Sequence, residues 1–261
     1  MSRRLRRFPF WSLAVFLLLP AACRTAVDGL RVDPSFTQAA LRERPMVIAA
    51  VAATDFPLPA PLATSYAQEA QTGFWSQRSW LNLIDAGRLR LAMGGEAYDR
   101  MRADYRVGAV ASPAWLAAIK TALPEVGYAL FALIEENATR AWRDENGVYE
   151  EREIDGEKRR VKIADETKAK ASRRVSVSLS IYDLETGGEV WRGRVTKTAA
   201  AERTYTRNVR DASDTVGIVV DLIGGVNKSV EERYPYPSMP DERPLLRSVF
   251  AGFAENFPGD D

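Results

Sequence analysis

The chain has 261 residues, 36 basic against 35 acidic, with 46% hydrophobic content. That is enough apolar mass for one large core, and the near-cancelling charge excludes a whole-protein field that would draw in nucleic acid. Histidine is absent and Cys23 is the single cysteine, which excludes Ser–His and Cys–His nucleophile pairs, imidazole metal sites and internal disulfides. No catalytic residue, metal or cofactor is expected, and the chain is read as no enzyme.

The first elements form an export leader. Residues 2–7 carry four arginines and residues 8–19 are uncharged and mostly apolar. Small residues, Ala21 and Ala22, lead into Cys23. A basic start, an apolar middle and a small-residue cleavage site make a signal peptide over 1–22, and its apolar run falls short of the roughly 20 residues that span a bilayer. The small residues before the lone thiol resemble a bacterial lipobox, which implies acylation of Cys23 and attachment to a membrane through an N-terminal lipid. Residue 24 is Arg, not Asp. By the sorting rule of Gram-negative lipoproteins, the resemblance implies the periplasmic face of the outer membrane. Residues 23–45 are mixed and polar and read as a tether with a short helix near 36–41; a coil of that length reaches on average about 25 Å.

A single domain is expected over 46–257. Met46–Ala53 is a continuous apolar run that suits a buried strand. Residues 55–61 hold three prolines and read as a loop. Apolar spacing over 66–86 predicts a helix, with Gly87 as its stop. The Arg/Leu alternation over Arg88–Met93 predicts a half-buried strand. A helix is expected over 97–105, and another from Ser112-Pro113 to Leu123, with a hydroxyl N-cap and proline in the first turn. Val126–Ile134 is apolar on both faces, as a central strand is. Arg173–Asp183 alternates, turns through Glu185-Thr186-Gly187-Gly188 and returns over Glu189–Thr198. A helix is expected over 211–223, then a proline-rich connector over 226–244, then a last helix over 244–257 with Leu245, Val249, Phe250, Phe253 and Phe257 on one stripe. The fold class is therefore α/β, an α+β sandwich with a mixed sheet of about five strands flanked by helices.

Residues 140–174 form a charged insertion. Asp155-Gly156 signals a hairpin turn between a Glu/Arg-rich first arm and a Lys/Arg-rich second one, so opposite charges can pair across strands. A solvated hairpin or loop at the sheet edge is the expectation. Neither arm has a sustained apolar face, which argues against a membrane-crossing hairpin.

The order of elements, with Asp183, Thr186, Gly187, Glu189, Val190 and Trp191 marking the strand–turn–strand, resembles a group of envelope lipoproteins. That group includes the curli channel protein CsgG, the penicillin-binding-protein activator LpoB and the TolB N-terminal domain. The resemblance implies a lipid-anchored, non-catalytic periplasmic adaptor that binds another envelope protein or self-assembles. A carboxylate-based enzyme acting on cell-wall material and a secretion-channel subunit are the alternatives. Candidate partner contacts are Trp75, Tyr234 and Tyr236, although Trp75 sits at helical spacing and Tyr-Pro-Tyr-Pro equally suits a stiff surface connector. Asp183 and Glu185, the carboxylates beside a strand end, are read as turn chemistry.

Overall fold

The computed structural model describes residues 24–208 and 230–259. The leader, Cys23 and the helix expected over 211–223 lie outside the described residues.

The expected α/β sandwich is the observed architecture, with a mixed, open sheet of six strands. The strands are β1 (Asp28–Val32), β2 (Met46–Ala53), β3 (Leu83–Ile84), β4 (Tyr128–Ile154), β5 (Glu157–Asp183) and β6 (Glu189–Asn208), in the spatial order β1-β6-β5-β4-β2-β3. Strand β2 is parallel to β3 and β4, while β4, β5, β6 and β1 pair antiparallel. All of β2 is buried, as its unbroken apolar sequence requires.

Helices cover both faces of the sheet body. On one face lie α2 (Ala60–Gln77) and α7 (Glu242–Glu255), packed on each other, with α2 on β2 and α7 on β5 and β6. Their aromatic side chains form one continuous cluster. Phe74 meets Phe250 and Phe257, and Trp191 meets Phe253 and Phe257 edge-on. Phe36 then joins Phe257 to Tyr128. On the other face lie α3 (Ala86–Met93), α4 (Gly95–Gly108) and α5 (Pro113–Ala122). Tyr105 packs on Phe131, and Phe131 packs on Tyr182. As expected, Ser112 accepts a hydrogen bond from the Trp115 amide at the start of α5.

Four expectations are corrected. The segment expected as a tether is folded beyond its expected short helix: 28–32 form the sheet's edge strand β1 on β6, while α1 (Gln38–Glu43), close to where that helix was expected, buries Leu41. All five residues of β1 are exposed, so no apolar pattern announced it. Residues 88–93 are helix, not strand, because Asp85 caps the helix by accepting from the Arg88 amide. Leu91, the second leucine of the alternation, is 87% exposed and contributes no buried face. Helix α2 starts earlier and ends earlier than 66–86, because Pro61 is tolerated in a first turn and Leu81 to Ile84 belong to the following loop and β3. Gly87 therefore lies in the first turn of α3. Finally, part of the proline-rich connector is a helical turn, α6 (Val230–Arg233).

Candidate functional site

The charged insertion is not a local loop but the continuation of the central strands. Strands β4 and β5 are 27 residues each and pair from Tyr128–Asp183 out to Ile154–Glu157. The pairing β2 makes with β4 ends at Ile134, so residues 138–154 project beyond the body by about 55 Å at ~3.3 Å per residue. Strand β6 accompanies this arm to Asn208 opposite Ala164, and among the described residues the β4–β5 ribbon alone continues beyond that point. The ribbon closes at Asp155 and Gly156, both with positive φ (55° and 79°). That is the conformation a two-residue hairpin turn demands and the reason for glycine there.

The arm has two unlike faces. One carries a charge ladder, with Lys170 bridging Asp144 and Glu202 and Arg174 facing Glu136. Lys170 holds the Asp144 carboxyl below its usual range, and Asp144 in turn raises Lys170. The opposite face carries small buried residues, Ala169 and Ala171, and the connector leading to α7 lies along it. There the Arg143 guanidinium donates to the Tyr234 carbonyl at 3.1 Å and to the Tyr236 hydroxyl at 2.8 Å, and it stacks 3.9 Å over the Tyr236 ring. Tyr205 packs on Tyr234 and donates to the Pro235 carbonyl at 2.7 Å. Arg173 donates to the Pro240 carbonyl and pairs with Glu242, which also accepts from Tyr66 and Asn137. Burial, then that hydrogen bond to Glu242, push the Tyr66 hydroxyl above its usual range. Tyr234 and Tyr236, the connector's candidate partner contacts, make these contacts within the chain as part of a strap along the arm, and Tyr236 is 36% exposed.

The β4 side of the arm is an open edge. Among the described residues no strand pairs with β4 beyond Ile134 on its outer side. An unpaired edge is a template for another strand, and charged side chains and bulges restrain indiscriminate pairing. Both restraints are present: Arg140, Arg143, Asp144, Glu145, Glu150, Glu151, Arg152 and Glu153 line this strand, and a bulge falls between Val148 and Tyr149.

The opposite end of the sheet holds the Asp183 turn. Asp183 accepts from the Glu185 and Thr186 amides, as turn chemistry predicts, and forms a two-pronged ion pair with Arg44 at 2.9 and 3.0 Å. Arg44 also donates to the Gly127 carbonyl and stacks 4.5 Å over Tyr128. Burial pushes the Asp183 carboxyl up, but the hydrogen bonds from Arg44 and the two amides outweigh it and hold the group below its ordinary value. Arg44 went unnoticed in the sequence because it lies 139 positions from its partner. Trp75 lies on the outer side of α2, 44% exposed, with its indole N–H donated to the Leu81 carbonyl; it is not brought near the arm's tyrosines by any contact.

A cleft of about 310 Å³ opens over β5 and β6 beside the end of α4, lined by Tyr105, Glu135, Ser178, Ser180, Arg192 and Arg194 among others. Its Glu135 is bound by Arg194 at 2.7 Å and by the Ser178 hydroxyl at 2.6 Å.

No family model matches the chain, and no curated protein does. Solved structures that resemble it include a PelC dodecamer from Paraburkholderia phytofirmans, 12% identical over 90% of this chain and 99% of that one, with a TM-score of 0.35. The LpoB C-terminal domain from Salmonella enterica is 12% identical over 62% and 87%, with a TM-score of 0.33. Lipoprotein GNA1162 from Neisseria meningitidis is 12% identical over 69% and 98%, with a TM-score of 0.29.

Proposed function

We propose that this chain is a lipoprotein of the bacterial envelope, acylated on Cys23 and held at the periplasmic face of the outer membrane. It works without catalysis, by docking another envelope protein or a further copy of itself on its β arm. The leader and the lone cysteine support the anchor. The open outer edge of β4 carries the docking reading: a run of main-chain donors and acceptors on a rigid ribbon, set beyond the body, where an incoming strand can add to the sheet. The five carboxylates of that strand outnumber its three arginines, Arg140, Arg143 and Arg152, and favour a partner strand with a basic excess. The alternative of a carboxylate enzyme is disfavoured by the way Glu135 in the cleft over β5 and β6 is tied to Arg194 and Ser178 rather than presented to a substrate.

Two measurements test this. A photo-crosslinking residue at Glu145 or Glu151 on the arm, and one at Leu91 on the body as control, are compared in intact cells. The arm positions are expected to capture a discrete protein, or the chain itself, and the body position is not. Absence of arm-specific adducts overturns the docking reading. Feeding a fatty-acid probe is expected to label the wild type and not Cys23→Ser; an unlabelled wild type overturns the anchor.

A further inference from the structure

The chain leaves almost no slack between its anchor and its fold. Thr25 is held by three hydrogen bonds from three directions. Its amide donates to Glu255 Oε2 at 2.8 Å, its carbonyl accepts from Asn256 Nδ2 at 2.9 Å, and its hydroxyl accepts from Lys197 Nζ at 2.9 Å. Asn256 Nδ2 also reaches the Gly252 carbonyl, so the latch is tied into the last turn of α7. Gly252 has to be glycine here, because a Cβ would lie 2.7 Å from Thr25 Cγ2. Val27 packs on the core, and β1 begins at Asp28. Covalent geometry then sets a limit. Consecutive Cα atoms are ~3.8 Å apart, so the Cα of residue 23 lies within about 7.6 Å of that of Thr25.

That reach is comparable to the depth of one headgroup layer, since headgroups add about 10–15 Å in total to a ~30 Å hydrocarbon core. Acyl chains on residue 23 have to lie in the hydrocarbon, which draws Thr25 and its surroundings into the headgroup layer. The side chains around it suit that layer and not the hydrocarbon: Arg24, Asp28, Lys197, Glu255 and Asn256 are all polar. We infer, resting on the acylation of Cys23 proposed above, that the surface around the Thr25 latch is seated on the lipid headgroups of the bilayer. The domain is thereby held in one orientation instead of swinging on a tether.

This orientation has a direction. The latch lies where the edge strand β1 begins, on the face of the sheet that carries α7, whereas α3 lies on the other face and packs on β2 towards the opposite edge. At about 4.8 Å per strand, β1 and β3 lie roughly 24 Å apart, so the exposed Leu91 of α3 marks the membrane-distal side.

The test uses the full chain, purified with its lipid and placed in vesicles that contain a headgroup-spin-labelled phosphatidylcholine. A fluorophore is attached to a single introduced cysteine, either proximal (Asp28→Cys or Thr198→Cys) or distal (Leu91→Cys); acylated Cys23 is not available to it. The proximal labels are expected to be quenched several-fold more than the distal one. Equal quenching in protein whose intact mass shows the acyl chains overturns the seating. Protein that lacks acyl mass fails the Cys23 reading instead, so the two failures are distinguishable. Inserting about twelve Gly/Ser residues between Arg24 and Thr25, a coil that reaches about 20 Å, is expected to erase the proximal–distal difference. If the difference persists with the insertion, the latch is not what orients the domain.

Discussion

The body and the arm share strands β4, β5 and β6 and are held together by different forces. Along β5, the segment Val175–Ile181 places Val175, Val177, Leu179 and Ile181 at 0% exposure beneath α7, with Tyr182 turned the other way against Phe131. A few residues earlier on the same strand, only Ala169 and Ala171 reach that burial, while the tip over 151–160 is exposed throughout. The body draws its stability from two helical layers that remove large side chains from water. The arm relies on ladder hydrogen bonds, cross-strand charge pairs and one strap, each of which contributes little net free energy. A ribbon of that kind adds little to the fold. Its length and its open edge make sense as equipment for contact.

The largest expected effect separates the two regions directly. Phe250→Ala removes a ring in contact with Phe74 and Phe253 at a fully buried position and is expected to cost about 3–5 kcal/mol, read from a urea unfolding midpoint. Deleting residues 149–163 and closing β4 on β5 with Asn-Gly, which keeps Val148 opposite Ala164, is expected to leave that midpoint unchanged, because residues 151–160 are exposed throughout. If the deletion destabilises as much as the core truncation, body and arm form one cooperative unit and the contrast fails.

The second effect lies at the end of the body opposite the arm. Arg44→Ala strands the partly buried Asp183 carboxylate and is expected to cost about 2–3 kcal/mol at neutral pH. Because the folded state holds the Asp183 carboxyl below its ordinary value of 3.8, it favours the ionised form. That contribution is complete above the unfolded value and drains away as the pH falls below about 4 towards the lowered folded value. The wild type should therefore lose stability on acidification more steeply than Arg44→Ala, and parallel curves from pH 6 downward would remove Arg44 as the cause.

The same contrast explains what the sequence made readable. Met46–Ala53, Val126–Ile134 and the start of α5 at Ser112-Pro113 announced themselves because their signals are local and large side chains are buried. The arm is polar, and polar strands carry no apolar period. Only Asp155-Gly156 marked it, so its turn was legible while its continuity with the central strands was not. Residues 28–32 were missed for the same reason, as an edge strand exposed at every position. Arg88–Met93 misled because a six-residue Arg/Leu alternation fits a strand as well as a helix, and the deciding residue was the cap at Asp85. The Thr25 latch and the Arg44 ion pair depend on partners more than a hundred positions away. Nothing local encodes them.

A smaller effect is expected where body and arm meet. Arg143→Ala removes the guanidinium that holds both the Tyr234 carbonyl and the Tyr236 ring, and a half-exposed cation–π contact with its hydrogen bonds is worth about 1 kcal/mol. Global stability should fall by no more than that. Amide hydrogen exchange over 232–240 should speed up markedly while the amides of Val175–Ile181 keep their protection. Loss of protection in both places would mean that the strap supports the body and not only the arm.

The smallest effect lies on the arm itself and is the sharpest test of what its charges are for. Asp144 and Lys170 form a 2.8 Å ion pair that shifts both groups towards their charged forms. Water and salt reach this pair, and exposed pairs of this kind rarely register in unfolding experiments. Asp144→Asn should leave the urea midpoint where it is at any ionic strength. Arm-specific crosslinking from Glu145 is expected to respond, because Asp144 belongs to the acidic row along the open edge and a basic partner strand would lose one of the charges that attract it. A variant that unfolds earlier yet crosslinks as before would reverse the assignment, making the ladder a stabilising device and leaving the edge without a reason for its acidity.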